Sequence, residues 1–528
     1  MTDIPSIKDA NTLGDVLAHH SRHRPLRVAT SYQGRDTTFA DLYRLSCQVA
    51  NGLAAAGVGV ATRVALLDKN SDLYFEAALG IALAGATIVT VNWRLAAPEV
   101  EYILADSDSE ILFVGRDYLP LVDSIKDSLA KLKQIIVLDG GADSPASYCP
   151  WRNRQEAGAP GVQVGRSDIA IQLYTSGTTG HPKGVELSHG CFLQFRDTVR
   201  DDLKWWTEWH DDDVSLMAMP GFHIGGIGWL FAALYNGQKT VILPEFEPTA
   251  ALEAMAEHRV TRLFLVPAAI RALLLAPGID SYDLSSIKYL IYGASPIPLD
   301  LLKQALTTLK CQCAQLYGMT ETTGGATYLS PDNHSTTPTE RMRSAGCALP
   351  GVELKIIDDK GDPLPPRHIG EICIKSPANM TAYWKLEEAT RNTLVDGYVH
   401  SGDAGYLDED GFLYVQDRVK DMIISGGENI YPAELESALF GHPAIADIAI
   451  IGVPDDKWGE AVKAMVVLKD GHQMTEEEFI TYAKGRIASY KCPKSVAFIP
   501  QLPRNAAGKI LKRELRAPYW EGRERAVN

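Results

Sequence analysis

A chain of 528 residues, 46% hydrophobic and 22% charged, is longer than one hydrophobic core organises and too apolar to be disordered, so two or more packed domains are expected. Its 51 Lys and Arg against 66 Asp and Glu leave a net charge of −15, which excludes a general nucleic-acid surface. The eight cysteines are scattered without a C-x-x-C pair, so metal-site spacing is absent, and no export signal is visible at the start; reduced thiols and a cytoplasmic location are the expectation.

Near the start, Thr38 with Asp41 resembles a capping box, and Leu42, Leu45, Val49 and Leu53 fall on one helical face before Gly57 stops it. A strand follows at 64–67. The longest apolar stretches, such as 77–91, are broken by glycine and too short to cross a bilayer, so no integral membrane segment is expected. Further apolar runs at 169–173, 214–219, 240–243, 262–266 and 288–292 each open into a loop rich in Gly, Ser or Pro. This is the rhythm of a layered α/β fold, in which ligands collect at the carboxyl ends of the strands. Trp205, Trp206 and Trp209 read as a helix packing face, with an acyl entrance or a membrane-surface contact as the alternatives.

Residues 405–416 read as a hairpin turning at Asp410-Gly411, and the chain changes character directly after it. A helix over 432–440, strands near 448–453 and 464–468, and a helix capped by Thr475 and Glu478 make a compact α+β unit. The predicted architecture is a large N-terminal multi-layer α/β domain, residues 1–417, a hinge at 418–421, and a small mobile α+β C-terminal domain, residues 422–528. From Lys484 onward eleven Lys and Arg face three Asp and Glu, which reads either as a solvated helix face or as a surface for an anionic cofactor.

The loop YTSGTTGHPKG, residues 174–184, follows a predicted strand and packs Thr and Ser hydroxyls, glycines and Lys183 together. Glycines let backbone N–H groups turn toward phosphate oxygens, hydroxyls add donors, and the lysine adds positive charge. It is not a Walker loop, because Lys183 is followed by Gly184 rather than Ser or Thr, and a P-loop kinase is thereby excluded. YGMTETT, residues 317–323, places Glu321 beside Thr320; alone this is a surface acid, but paired with a phosphate cradle it suits Mg²⁺ shared with phosphate oxygens. In HSGD, residues 400–403, Asp403 can accept from ribose hydroxyls; Arg418 precedes the domain boundary, and Lys509 lies on a Gly-preceded turn in the basic segment.

With YTSGTTGHPKG, MPGFHIGG (219–226), YGAS (292–295), YGMTETT, HSGD, DRVKDMIISGGENIYP (417–432) and PRNAAGK (503–509) in this order, the whole chain resembles the adenylate-forming superfamily of acyl-CoA synthetases, aryl-CoA ligases, adenylation domains and luciferases. The resemblance implies that Thr175, Ser176, Gly177, Thr178, Thr179 and Lys183 hold pyrophosphate, and that Gly293, Ala294 and Ser295 wall the adenine with Tyr317 stacked on it. It further implies Thr320 on the α-phosphate, Glu321 on Mg²⁺, Asp403 and Arg418 on ribose, Lys509 bridging carboxylate and α-phosphate, and Lys420 as hinge. His223 would border an acyl pocket or else be a structural histidine, with Gly225, Gly226 and Gly228 removing side chains from the same wall and Trp229 beyond them; Gly426, Gly427 and Glu428 would meet coenzyme A.

The implied activity is an ATP-dependent, AMP-forming acyl-CoA synthetase for a fatty or other bulky hydrophobic carboxylic acid, with ATP, Mg²⁺ and coenzyme A required and a homodimer compatible with the chain. Aryl or cinnamate-type CoA ligases and acyl-AMP ligases delivering to a carrier protein are the alternatives. A catalytically dead scaffold is disfavoured because Lys183, Glu321, Asp403, Arg418 and Lys509 are all present.

Overall fold

A computed structural model describes residues 7, 9–139, 147–175, 182–194, 203–418, 421–425, 428–455, 457–504 and 510–521, with the backbone alone described at 205, 207, 417, 418, 428 and 429. Two mostly parallel sheets build the large domain. One has nine strands, ordered Cys347–Ala348, Thr327–Leu329, Gln312–Tyr317, Tyr289–Gly293, Arg262–Leu265, Val214–Met217, Lys239–Ile242, Val28–Tyr32 and Arg35–Thr38. Its middle six strands are parallel, and antiparallel strands close both edges.

The second sheet has seven strands, ordered Ala382–Tyr383, Lys183–Ser188, Ile169–Thr175, Thr87–Thr90, Arg63–Leu67, Ile111–Val114 and Gln134–Val137. The predicted apolar runs are strands of these sheets, buried by helices as near-continuous apolar runs require. The run at 214–219 stops pairing at Met217, because the Met219 carbonyl accepts instead from the Asn70 amide at 3.0 Å and Pro220 follows.

The first predicted helix is Phe39–Ala55. The Thr38 hydroxyl accepts the Asp41 N–H at 3.1 Å, but its own proton goes to the Asp41 carboxylate, so the cap closes between side chains rather than as a reciprocal box. Trp206 and Trp209 pack on the Trp229 ring at 6.0 and 5.7 Å between centroids, so the packing reading holds for these two; the Trp205 side chain lies outside the described residues.

A third, antiparallel sheet contains Glu353–Ile357, Gly370–Lys375, Tyr398–Leu407, Leu394–Val395 and Leu413–Arg418. The predicted hairpin is its last pair, with Gly411 at φ 81° in the turn. The C-terminal domain folds Ile423–Ser425, Glu428–Ile430, Ile445–Asp455, Gly459–Leu468 and Ser495–Phe498 into a sheet with the helices Pro432–Leu439 and Glu476–Lys484 on it. Ile423, Leu435, Leu439, Ile450, Val466 and Phe479 form a core of their own. Thr475 and Glu478 make the reciprocal capping box predicted for the second helix. Among the described residues no helix is long and apolar enough to cross a membrane.

Candidate active site

The strand Ile169–Thr175 runs to the predicted phosphate loop and Lys183–Ser188 returns antiparallel to it, Thr175 directly opposite Lys183. The base of the loop is fixed by Tyr174, whose hydroxyl donates to the Asp106 carboxylate at 2.6 Å and accepts from Gln172 at 3.0 Å. Ser176, Gly177, Thr178 and Thr179 lie outside the described residues.

Lys183 places its ammonium 4.8 Å from the centre of the Tyr383 ring, a cation–π distance. The Tyr383 hydroxyl donates to Glu321 Oε1 at 2.7 Å. Glu321 sits in the single 3-10 turn Thr320–Thr322 and is only 6% exposed. Its carbonyl accepts the Met380 N–H at 2.7 Å, and the Thr323 hydroxyl donates to the Ala378 carbonyl at 2.6 Å. On the other side the Thr381 N–H reaches the Glu186 carbonyl at 2.9 Å and the Trp384 N–H reaches the Gly184 carbonyl at 2.8 Å. Residues 378–384 therefore stitch the base of the phosphate loop to the Glu321 turn.

The Tyr317 hydroxyl donates to Asp403 Oδ2 at 2.8 Å, joining two further predicted positions. Asp403 is held from behind: its N–H donates to the Ser401 hydroxyl at 3.0 Å, which donates to the Ile372 carbonyl at 2.6 Å. Glu371 takes the Gly402 N–H at 3.0 Å on one oxygen and faces His400 Nδ1 at 3.0 Å with the other. Arg418, the last residue of its strand, pairs with Asp403 in register, although its side chain lies outside the described residues. Gly293 pairs with Leu316, next to Tyr317, so closely that a Cβ at 293 would collide with the Leu316 carbonyl oxygen. Ala294 follows at φ 68°, a left-handed conformation uncommon for a residue with a side chain, and Ser295 is half-buried beside it.

His223 precedes the helix Ile224–Tyr235 as its N-cap and packs on Phe222 at 4.5 Å between ring centres. Burial, with Arg94 adding to it, holds its pKa down to about 4, so the ring is neutral at pH 7. Its buried Nε2 has no hydrogen-bond partner among the described residues. The glycines after it correct the expectation of open volume. A Cβ on Gly226 would run into the Pro220 carbonyl oxygen, and one on Gly225 would lie 2.9 Å from the Phe264 ring; both are positions of close approach. Trp229 is 5% exposed, donates to the Leu216 carbonyl at 3.0 Å and packs among Trp206, Trp209 and Phe264, which makes it a core side chain.

Lys420, Gly426, Gly427 and Lys509 lie outside the described residues, as does the side chain of Glu428. The basic C-terminal segment is less basic in space than in sequence. Lys491, Arg504, Lys512 and Arg516 pair with Glu434, Asp447, Glu436 and Asp421 at 2.6–2.9 Å. Tyr383 and Glu371 are the contributors that sequence reasoning missed; neither lies in a recognisable motif, and only the Tyr-Trp pair at 383–384 in a polar stretch marks the first.

Parallel strands opening into a hydroxyl-rich loop, a buried carboxylate turn tied to that loop, and a small separate C-terminal domain define a two-domain nucleotide-using α/β enzyme. The chain belongs to the AMP-binding enzyme family: the sequence model of that family matches residues 17–384, and that of the AMP-binding enzyme C-terminal domain matches residues 434–509. It is 40% identical over 518 residues to the fatty acid–[acyl-carrier-protein] ligase ScoC of Streptomyces coeruleorubidus, covering 98% of each chain. It is 37% identical over 508 residues to a feruloyl-CoA synthase of Amycolatopsis sp, covering 96% of this chain and 99% of that one. The solved anthranilate CoA ligase AuaEII in complex with anthranoyl-AMP superposes with a TM-score of 0.88 at 28% identity, covering 96% of this chain and 97% of that one.

Proposed function

We propose that this protein is an ATP-dependent, AMP-forming carboxylate–CoA ligase acting on a fatty or other bulky hydrophobic acid. The observation that carries the reading is the Lys183–Tyr383–Glu321 chain, which couples a phosphate-loop cation to a buried carboxylate turn. In the first step a carboxylate oxygen attacks the α-phosphorus of ATP, the bond to the bridging oxygen breaks, and pyrophosphate leaves an acyl-adenylate. Thr175 to Thr179 and Lys183 take the pyrophosphate, Thr320 the α-phosphate, and Lys509 the charge developing between carboxylate and phosphate. Gly293, Ala294 and Ser295 wall the adenine, Tyr317 stacks on it, and Asp403 and Arg418 take the ribose. Glu321 would hold Mg²⁺: Tyr383 occupies one of about four acceptor sites on the carboxylate and leaves the rest for a hard cation. When bound, the ion supplies charge neutralisation of the triphosphate.

In the second step a thiol attacks the acyl carbonyl and AMP leaves. The pivot between the steps is the hinge 418–421 with Lys420; what supports it is that the Arg418 backbone pairs in the large domain's sheet, whereas the Asp421 carboxylate meets Arg516 of the helix Lys512–Trp520 at 2.8 Å. Turning there withdraws Lys509 and brings the face bearing Gly426, Gly427 and Glu428 to coenzyme A. The similarity to ScoC favours a second reading, in which the thiol is the phosphopantetheine of a carrier protein. In either case the acid and ATP are small molecules and the enzyme works in the cytoplasm, with a homodimer as the assembly to check by sedimentation.

AMP release measured across short, medium, long, aryl and polycyclic acids, with either coenzyme A or a phosphopantetheinylated carrier protein, tests both readings. Hydrophobic acids are expected to give CoA thioesters. Thioesters on the carrier protein alone would replace the first reading by the second, and absence of acid-dependent pyrophosphate exchange would remove both. Lys509→Ala should lower exchange by about 10²-fold or more while sparing thioester formation from supplied acyl-adenylate.

A further inference from the structure

We propose that Glu371, Cys373 and His400 form a binding site for a thiophilic divalent cation, zinc(II) foremost. None of the three is a group assigned to ATP, acid or thiol in the ligase reaction, although Glu371 and His400 lie behind the turn that carries Asp403. A carboxylate oxygen of Glu371, the Cys373 sulfur and an imidazole nitrogen of His400 all lie within 4.8 Å of one another. The sheet dictates this meeting. Cys373 is directly opposite His400 in the antiparallel pair Gly370–Lys375 and Tyr398–Leu407, and Glu371, two residues earlier, shares the face of Cys373.

Donor atoms around a tetrahedral zinc ion, with bonds of about 2.0–2.3 Å, are spaced about 3.3–3.7 Å apart. Glu371 Oε2 and His400 Nδ1 stand 3.0 Å apart, close to that spacing, and the sulfur lies within 4.8 Å of the ligand atoms of both. The carboxylate is oriented from behind by the Gly402 N–H on its other oxygen, the kind of support that fixes a ligand's direction. Cys373 is fully buried, whereas the side chains of His400 and Glu371 are 23% and 27% exposed. The site is thus closed beneath and open above, leaving a fourth position for water.

In the bound state one carboxylate and one thiolate balance a divalent ion, which must first displace a thiol proton that burial and the Glu371 charge hold on, the Cys373 pKa being pushed up to about 12. Lys355, opposite Cys373 on the far strand, has its ammonium 4.2 Å from the Tyr398 ring centre. Sulfur and nitrogen donors select zinc, cobalt or cadmium over magnesium or calcium. The competing explanation is a His–Glu ion pair resting on an inert buried cysteine.

Titrating the full-length protein with cobalt(II) separates the two. One equivalent is expected to produce a thiolate-to-cobalt charge-transfer band that zinc then abolishes. Cys373→Ser should remove the band and weaken zinc binding by calorimetry about tenfold or more; Glu371→Gln, at a partly exposed position, should weaken it about tenfold even if the cysteine variant fails to fold. A wild-type protein without the band, or undiminished zinc affinity in Glu371→Gln, would overturn the proposal. A band that survives in a folded Cys373→Ser variant would assign the metal to another cysteine and overturn it equally.

Discussion

Tyr383 faces the Lys183 ammonium with its ring and donates its hydroxyl proton to Glu321. Phenylalanine keeps the first and loses the second. Tyr383→Phe should therefore raise the Mg²⁺ concentration needed for half-maximal adenylation about tenfold or more, with kcat at saturating Mg²⁺ much less affected, because an outer-shell partner tunes the ligand it orients. An unchanged Mg²⁺ dependence in a normally folded variant would remove Tyr383 from this positioning role. Lys183, Glu321 and Asp403 were legible in the sequence because each lies in a segment whose neighbours already state its chemistry. Tyr383 was not, since its role exists only where the strand Ala382–Tyr383 pairs with Lys183–Ser188.

The helix Ile224–Tyr235 begins against the turn at Pro220, and Gly226 is the residue that allows it. Gly226→Ala forces a methyl group onto a carbonyl oxygen and should cost about 1–3 kcal/mol in chemical denaturation, in the range of overpacked cores. Gly228→Ala, whose added carbon would lie 3.5 Å from an Ile224 methyl, should be neutral or gain up to about 1 kcal/mol of helix propensity. Equal effects of the two would contradict the packing account. At this scale the sequence revealed six of the parallel strands and the C-terminal capping box, which are local patterns, and missed parallel strands such as Val28–Tyr32, Thr87–Thr90 and Ile111–Val114. The two-residue strands Cys347–Ala348 and Ala382–Tyr383, and the antiparallel sheet under Asp403 apart from its predicted hairpin, escaped it because their pairing partners are distant in the chain; Leu394–Val395, which pairs with residues 398–399 close by, is too short to carry a readable alternation. The volume expected beside Gly225 and Gly226 failed for the same reason: a glycine opens space or closes a contact according to what faces it.

Across the molecule, His20 and His189 are 1% and 0% exposed, and burial holds both pKa values down to about 4. His189 Nδ1 accepts the Leu13 N–H at 3.2 Å, a bond that requires a bare nitrogen. The unfolded chain binds protons at these sites near pH 6.5 and the folded chain does not, so stability is fully present above that pH and is lost as pH falls toward 4. The loss should reach roughly 3 kcal/mol per histidine. Urea midpoints are expected to be flat from pH 7 to 8 and to drop between about 6 and 4, with a shallower drop in His189→Gln; an identical slope in that variant would exclude His189 as a contributor.

Three of the four ion pairs, those of Lys491, Arg504 and Lys512, join groups that all belong to the C-terminal domain, and the fourth ties Arg516 to Asp421 of the hinge segment. In the proposed rotation a body that balances the first three within itself would carry them as cargo. What faces the large domain includes softer contacts, such as the Arg271 guanidinium 5.4 Å from the Phe440 ring. The internal pairs would add no ionic-strength dependence of their own to the proposed rotation, and any such dependence would trace to charges that change partners, Lys509 among them.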